Sequence, residues 1–207
     1  PGRRSGGLFA ATKVWTPGRQ LGISQMKHSA YLWGLSQFDL MQIHNLVDWK
    51  THLETLRQWR DEGRIRYIGV TTSHGSRHSE LERILTSQPI DFVQLTYNPI
   101  DVEAEKRLLP AAADTGIAVI ANRPFQGGRL LDKLMRSPLP PEAPTMGCTT
   151  WAAYCLKFIV AHPAVTCAIP ATSNISHLRE NMAGASTRMP TPSERAIMAQ
   201  QIQALAG

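Results

Sequence analysis

The chain of 207 residues is 43% hydrophobic and 18% charged, and its formal charge at pH 7 is +6. This composition excludes intrinsic disorder, because the chain can bury enough apolar surface to offset the entropy lost on folding. Its apolar runs are shorter than the roughly 18 to 20 residues of a bilayer helix, so a membrane-spanning protein is also excluded. We expect one folded domain over residues 1–207 and no membrane partner.

The positive charge is spread along the chain rather than concentrated in a basic run. Arginines and acidic residues are interleaved in one segment, which holds Glu54, Arg57, Arg60, Asp61, Glu62, Arg64 and Arg66. Such mixing is typical of a solvated helix face, and no ladder of aromatic residues for bases accompanies it. We therefore expect no nucleic-acid partner.

Residues that form disulfides or bind metals are sparse. The three cysteines, Cys148, Cys155 and Cys167, contain no C-x-x-C pair. Their odd number and spacing favour free, packed thiols in a reducing compartment, so we expect a cytoplasmic protein. His74 and His78 lack a nearby carboxylate in metal-ligand position, which favours a solvated loop and predicts no metal site.

Short runs rich in Val, Ile, Leu and Phe recur, and each predicts a buried strand. Segments with helical spacing lie between them, and the regular alternation of strand and helix predicts parallel pairing. The six runs are Leu8 to Val14, Leu40 to His44, Tyr67 to Thr71, Phe92 to Leu95, Ala118 to Ala121 and Val165 to Ile169.

Uniformly apolar strands predict an α/β fold with helices on both faces, either a doubly wound sheet or a TIM-type barrel. A glycine-rich dinucleotide fingerprint after the first strand is missing, because Gly2, Gly6 and Gly7 have the wrong spacing. We therefore favour a TIM-type (β/α)8 barrel, with about six of the eight strands in this chain.

Catalytic groups of a TIM barrel project from the carboxyl ends of its strands. Lys13 interrupts an apolar strand, and an ammonium beside the imidazole of His44 can stabilise negative charge on a carbonyl oxygen. A lysine that reaches solvent and a hydrogen-bonded core histidine are the structural alternatives. The strand ends together supply Lys13, His44, Thr71, Thr72, Gln94, Asn122, Arg123 and Thr172.

A second polar group follows the last strand. Thr and Ser cap helices, and the amino end of a helix attracts anions. The later members have the spacing of one helix face, which can hold a nucleotide; an ordinary capped surface helix is the alternative. The group comprises Thr172, Ser173, His177, Glu180 and Asn181.

Several motifs in series resemble the aldo-keto reductase superfamily. The resemblance extends over nearly all of residues 8 to 205. The motifs are the lysine motif Ala11 to Trp15, the histidine motif Asp39 to Asn45, the run Gly63 to Val70, the strand Phe92 to Pro99 and the cofactor segment Ile169 to Asn181.

The resemblance implies an enzyme that reduces aldehydes or ketones to alcohols with NADPH or NADH. Lys13 and His44 would be catalytic, Trp15 and Asn45 would border the pocket for a small carbonyl substrate, and Thr72 with Gln94 would hold the nicotinamide carboxamide. The implied cofactor-binding residues are Thr71, Thr72, Gln94, Asn122, Arg123, Phe125, Thr172, Ser173, His177, Glu180 and Asn181.

Two departures from the family pattern concern the cofactor. Ala171 and His177 stand where many NADPH-preferring members carry cations for the 2′-phosphate. Asn122 stands where many members carry an aromatic residue that stacks on the nicotinamide. The sequence therefore favours neither NADPH nor NADH.

A third departure concerns the catalytic residues. The family's catalytic Asp and proton-donating Tyr lie on two strands ahead of the lysine motif, and only twelve residues precede Lys13. Tyr31 and Tyr67 do not match that motif, so we expect the chain to lack these two strands. Two functions stay open: an oxidoreductase, or a non-catalytic nucleotide-binding or regulatory subunit.

Overall fold

The computed structural model describes residues 7–73, 75–184 and 187–206, apart from the side chain at position 76. His74, one of the two histidines considered for a metal site, lies outside these residues. The described chain forms two compact units. The first comprises the residues up to Gln94 together with 114–117, and the second comprises the rest.

Six strands form where the sequence predicts them, with their ends shifted by up to three residues. His44 was predicted as the last residue of a strand, but it begins a 3-10 turn, His44–Leu46, instead. The strands are β1 (Ala11–Val14), β2 (Phe38–Ile43), β3 (Ile65–Thr71), β4 (Phe92–Thr96), β5 (Ala118–Asn122) and β6 (Cys167–Ala168).

In the part of the chain that the structure describes, eight α-helices lie between these strands or after the last of them. The connections include short 3-10 turns, such as the one at Gln126–Gly128. The helices are α1 (Arg19–Trp33), α2 (Trp49–Asp61), α3 (His78–Ser87), α4 (Leu108–Asp114), α5 (Arg129–Leu134), α6 (Trp151–Val160), α7 (Ile175–Ala183) and α8 (Pro192–Ala206). Among the described residues, none of these helices has both the length and the apolar character needed to cross a membrane.

The first unit contains the parallel strands β1, β2 and β3 and the beginning of β4. The register pairs Lys13 with Gln42, Gln42 with Gly69, and Thr71 with Gln94. Every residue of β2 is buried, including the polar Asp39 and Gln42, as expected for a strand covered on both faces. Because the strands are parallel, their carboxyl ends reach the same edge of the sheet.

The second unit contains the end of β4, the parallel pair β5 and β6, and the helices from α5 onward. Helix α6 is almost wholly buried. Its Lys157 side chain has no exposure, and its ammonium donates to Thr187 Oγ1 at 2.5 Å and to the Arg188 carbonyl at 2.9 Å. These acceptors compensate for burying the amine and attach the segment after α7 to α6.

The three cysteines are free thiols, as predicted. Cys148 and Cys155 are buried, and burial raises the pKa of both thiols, that of Cys155 to about 12. The prediction that all three cysteines pack in the core is wrong for Cys167, which is exposed in the short strand β6.

Gly22 allows α1 to approach α2 closely. A Cβ atom at position 22 would lie 2.4 Å from Cε1 of His52, whose side chain is fully buried. His52 cannot easily yield, because its Nε2 donates to the Thr16 carbonyl at 2.6 Å. The contact therefore ties helix packing to the loop that follows β1.

We predict that Gly22→Ala lowers the free energy of unfolding, because overpacking usually costs roughly 1 to 3 kcal/mol. This cost exceeds the gain of about 0.5 to 1 kcal/mol that alanine brings to a helix interior in place of glycine. Urea unfolding followed by circular dichroism measures the difference. Ser24→Ala, at an exposed position of the same helix, is the control and should not destabilise. A Gly22→Ala variant more stable than the parent chain would contradict the packing argument.

Candidate functional site

Lys13 and His44 lie at the carboxyl edge of the sheet in the first unit. Val14 pairs with Ile43, so the strand that carries Lys13 ends beside the residue that precedes His44. Burial lowers the pKa of the Lys13 ammonium. Burial, and then the charge of Lys13, lower the pKa of His44, so its imidazole is neutral near pH 7. The strand register thus places the predicted ammonium and imidazole at the same sheet edge.

Trp15 packs against the imidazole of this pair. Its ring meets the His44 ring edge-on, with centroids 5.1 Å apart, and 61% of the residue is exposed. Its backbone N–H donates to Gln25 Oε1 at 2.7 Å. The loop that carries Trp15 is also held by Asp48, which accepts from the Gly18 N–H at 2.8 Å. The sequence motifs pointed to Trp15 but gave no signal for Gln25 or Asp48.

Thr71 contacts the imidazole directly. Its hydroxyl oxygen lies 3.2 Å from His44 Nδ1 and accepts from the Asn45 N–H at 3.1 Å. We expected Thr71 among the cofactor-binding residues, and within the described chain its hydroxyl makes these two hydrogen bonds. The sequence gave no signal for the contact, because 27 positions separate Thr71 from His44.

The turn after β2 has an unusual backbone. Asn45, Leu46 and Asp48 have φ angles of 52°, 55° and 45°, in the left-handed region that residues other than glycine rarely adopt. The Asn45 side chain, expected in the substrate pocket, accepts from Ser73 Oγ at 3.0 Å, and the Asn45 carbonyl accepts from Arg77 at 2.6 Å. These bonds offset the cost of the strained conformation.

Thr72, directly after β3, and Gln94, within β4, are the expected ligands of the nicotinamide carboxamide, and both are buried. The Thr72 N–H donates to the Gln94 carbonyl at 2.9 Å. Gln42 Nε2 donates to the Gln94 side-chain oxygen at 3.4 Å, and this bond orients the Gln94 side-chain amide. The first unit thus brings together all the site residues predicted from the ends of β1 to β4.

The second unit contains a cavity of about 1040 Å³. Six predicted cofactor-binding residues line it: Arg123, Phe125, Thr172, His177, Glu180 and Asn181. Gly127 and Gly128, with φ angles of 71° and 97°, form a tight turn in its wall. Asn122 and Ser173 are not among its lining residues.

The position of α7 explains how three of its side chains reach this cavity. The helix is capped by Asn174, whose side chain accepts from the Ser176 N–H at 2.9 Å, while the Asn174 N–H donates to Thr172 Oγ1 at 3.1 Å. No described residue of α7 is buried. Its His177, Glu180 and Asn181 therefore lie on an accessible wall, on one face as the spacing predicts.

Asn122 lies apart from the cavity wall for a physical reason. It is the last residue of β5, is 7% exposed, and its Oδ1 accepts from Thr96 Oγ1 at 2.9 Å. The side chain thus bonds to the neighbouring strand segment. The Asn122 amide oxygen is therefore engaged in an internal hydrogen bond.

The four tyrosines of the chain have other surroundings. Tyr31 is 81% exposed on α1, and Tyr67 packs in β3 against Phe9 and Phe92. In the second unit, Tyr97 bonds to Glu105 and Tyr154 bonds to Gln201. Among the described residues, no tyrosine hydrogen-bonds to Lys13 or His44.

The family model for the aldo/keto reductase family matches residues 19–199. The chain therefore belongs to the aldo/keto reductase family. It is similar to pyridoxine 4-dehydrogenase of Escherichia coli strain K12, at 30% identity over 131 residues that cover 63% of this chain and 43% of that protein. It also resembles the uncharacterized oxidoreductase YqkF of Bacillus subtilis strain 168, at 24% identity over 87% of this chain and 65% of that protein. The chain thus spans less than two thirds of the length of these two relatives.

Solved structures agree with this assignment. An aldo-keto reductase of Klebsiella pneumoniae, in complex with NADP and acetate, superposes with a TM-score of 0.75 at 24% identity, over 93% of this chain and 68% of that one. The holo form of AKR11C1 of Bacillus halodurans gives a TM-score of 0.74 at 24% identity, over 95% and 71%. The predicted α/β fold of the TIM-barrel type, with six parallel strands in this chain, is confirmed.

We predict that Lys13→Met raises the pKa of His44 while leaving it below its usual value. The substitution removes the repulsion between the ammonium and the protonated imidazole but retains the larger effect of burial. An NMR titration of the histidine side chains measures the shift. Lys27→Met, at an exposed position of α1, is the control. An unchanged His44 titration in Lys13→Met would show that the two groups do not interact.

Proposed function

We propose that this chain provides the nucleotide-binding and carbonyl-binding machinery of an NAD(P)H-dependent oxidoreductase that reduces aldehydes or ketones to alcohols. The cavity lined by six predicted cofactor-binding residues carries this proposal. Membership of the aldo/keto reductase family and the oxidoreductase names of its relatives support it. We place the protein in the cytoplasm, because its free thiols suit a reducing compartment.

The residues of the cavity fit a nucleotide. Its volume of about 1040 Å³ is at the upper end of the range for small-molecule sites, about 300 to 1,000 Å³. Arg123 and the Gly127–Gly128 turn offer a cation and backbone N–H groups to phosphates. Glu180 and Asn181 offer acceptors and a donor to ribose and adenine. A reduced nicotinamide, when bound, supplies the hydride for the reduction.

Lys13 and His44 are suited to act on the carbonyl oxygen of the substrate. A neutral imidazole can donate one hydrogen bond to that oxygen, and the ammonium of Lys13 stabilises negative charge as it develops there. Both groups are partly desolvated, which strengthens these interactions. The Trp15 ring offers an apolar surface beside the imidazole.

A second function is favoured by one observation, the surroundings of the four tyrosines. General acid catalysis typically contributes 10²- to 10⁴-fold to a rate, and no tyrosine of this chain bonds to Lys13 or His44 in the described residues. The second candidate is therefore a nucleotide-binding or regulatory subunit that binds the cofactor without turnover.

Calorimetric titration with NADPH and NADH, followed by an assay of NADPH oxidation with a panel of aldehydes and ketones, separates the two functions. Binding with turnover supports the oxidoreductase. Binding without turnover supports the regulatory subunit. A chain that binds neither nucleotide contradicts both proposals.

We predict that Arg123→Gln weakens NADPH binding by roughly 10- to 100-fold, the value of a charge-assisted hydrogen bond to phosphate. Arg179→Gln is the matched control, because it removes the same charge from an exposed position of α7 outside the cavity wall. We expect its affinity for NADPH to stay within about twofold of the parent chain. Equal losses in the two variants would point to a general electrostatic effect rather than a phosphate contact.

We predict that Ala171→Lys increases affinity for NADPH about fivefold relative to NADH, because it adds a cation to the cavity wall for the 2′-phosphate. The ratio of the two dissociation constants, measured by calorimetry, reports the change. Ala171→Met adds a side chain of similar length without charge and should leave the ratio unaltered. If both variants changed the ratio equally, charge at position 171 would not decide cofactor preference.

A further inference from the structure

The hydrogen bonds of Thr71 have a defined direction. A hydroxyl group carries one hydrogen and can accept two hydrogen bonds. Thr71 Oγ1 accepts from the Asn45 N–H, and its other partner among the described residues is His44 Nδ1 at 3.2 Å. Thr71 is 1% exposed, so bulk water does not compete for its hydrogen. If the hydroxyl accepted from both partners, its buried hydrogen would have no acceptor among the described residues, so the hydrogen is directed to Nδ1.

We infer that Thr71 is a positioning residue, which holds the neutral imidazole of His44 in the tautomer that carries its proton on Nε2. With Nδ1 acting as acceptor, Nε2–H is the ring donor. This donor is the one available to a carbonyl oxygen, a role that rests on the proposed function. Thr71 acts through His44 and needs no contact with the substrate itself.

The neutral state of His44 makes the choice of tautomer matter. A protonated imidazole donates from both nitrogens, whereas a neutral one donates from one nitrogen only. Burial and the nearby charge of Lys13 both lower the pKa of His44 and so favour the neutral ring. Under these conditions the direction of the Thr71 hydrogen bond decides which nitrogen is the donor.

Hydrogen bonds around Asn45 keep Thr71 in this arrangement. Asn45 has a left-handed backbone at φ 52°, and its carbonyl accepts from Arg77 Nη1 at 2.6 Å. Arg77 also donates to Glu80, which accepts in turn from Trp49 Nε1 at 3.0 Å. The chain of bonds fixes the Asn45 N–H toward Thr71 Oγ1, so that the remaining hydrogen of Thr71 points to His44.

Long-range proton–nitrogen NMR spectra of the chain, recorded above pH 7 without cofactor or substrate, test this inference. Protonated and unprotonated imidazole nitrogens resonate at different positions, and the signals that His44→Gln removes identify His44. We expect the Nε2–H tautomer to predominate in the parent chain. Thr71→Val, which replaces the hydroxyl by a methyl group, should shift the tautomer ratio toward Nδ1–H by roughly fivefold.

Two control variants separate the hydrogen bond from packing. Thr71→Ser retains a hydroxyl and should keep the tautomer. Thr86→Val removes a hydroxyl on α3 that bonds to the Glu82 carbonyl, away from Asn45 and the imidazole, and should keep it as well. A predominant Nδ1–H tautomer in the parent chain would overturn the inference, even if Thr71→Val failed to fold. An unchanged ratio in folded Thr71→Val would also overturn it.

The outcome is independent of the proposed function. The spectra report the tautomer in the free chain, whereas nucleotide binding and turnover are measured separately. A chain that binds no NADPH but holds His44 in the Nε2–H form would refute the proposed function and retain the role of Thr71. A chain that binds NADPH but holds His44 in the Nδ1–H form would refute the role of Thr71 and retain the proposed function.

Discussion

The parallel register of β1, β2 and β3 determines the chemistry available in the first unit. It brings the ammonium of Lys13 to the same sheet edge as the imidazole of His44 and the hydroxyl of Thr71. Partial burial at this edge lowers the pKa of both the cation and the ring, and the charge of Lys13 lowers that of the ring further.

Much of this arrangement could be predicted from the sequence, because hydrophobic runs locate strands and parallel strands place their ends together. All six strands and the polar residues at the ends of β1 to β4 follow from that reasoning. The features that could not be predicted from the sequence also have a physical cause. The contact of Thr71 with His44 joins residues 27 positions apart, and the left-handed turn at Asn45 depends on bonds from Ser73 and Arg77 that no local pattern encodes.

The second unit shows the same difference between local features, which the sequence predicts, and long-range contacts, which it does not. Helical spacing correctly predicted that His177, Glu180 and Asn181 share a face, because that property is local. The hydrogen-bond partner of Asn122 could not be predicted from spacing, because its side chain bonds to Thr96 across neighbouring strands. Family membership and the TIM-type fold are established for this chain, while its extent as a single domain and the roles of its site residues stay predictions.

The hydrogen bond from His52 to the Thr16 carbonyl joins the interior of a helix pair to the loop that carries Trp15. His52 also lies in close contact with Gly22. The packing of α1 against α2 and the position of this loop therefore depend on the same side chain. A substitution deep between the two helices would therefore displace the loop that carries Trp15 without contacting it. The position of that loop thus depends on interior packing as well as on the loop's own sequence.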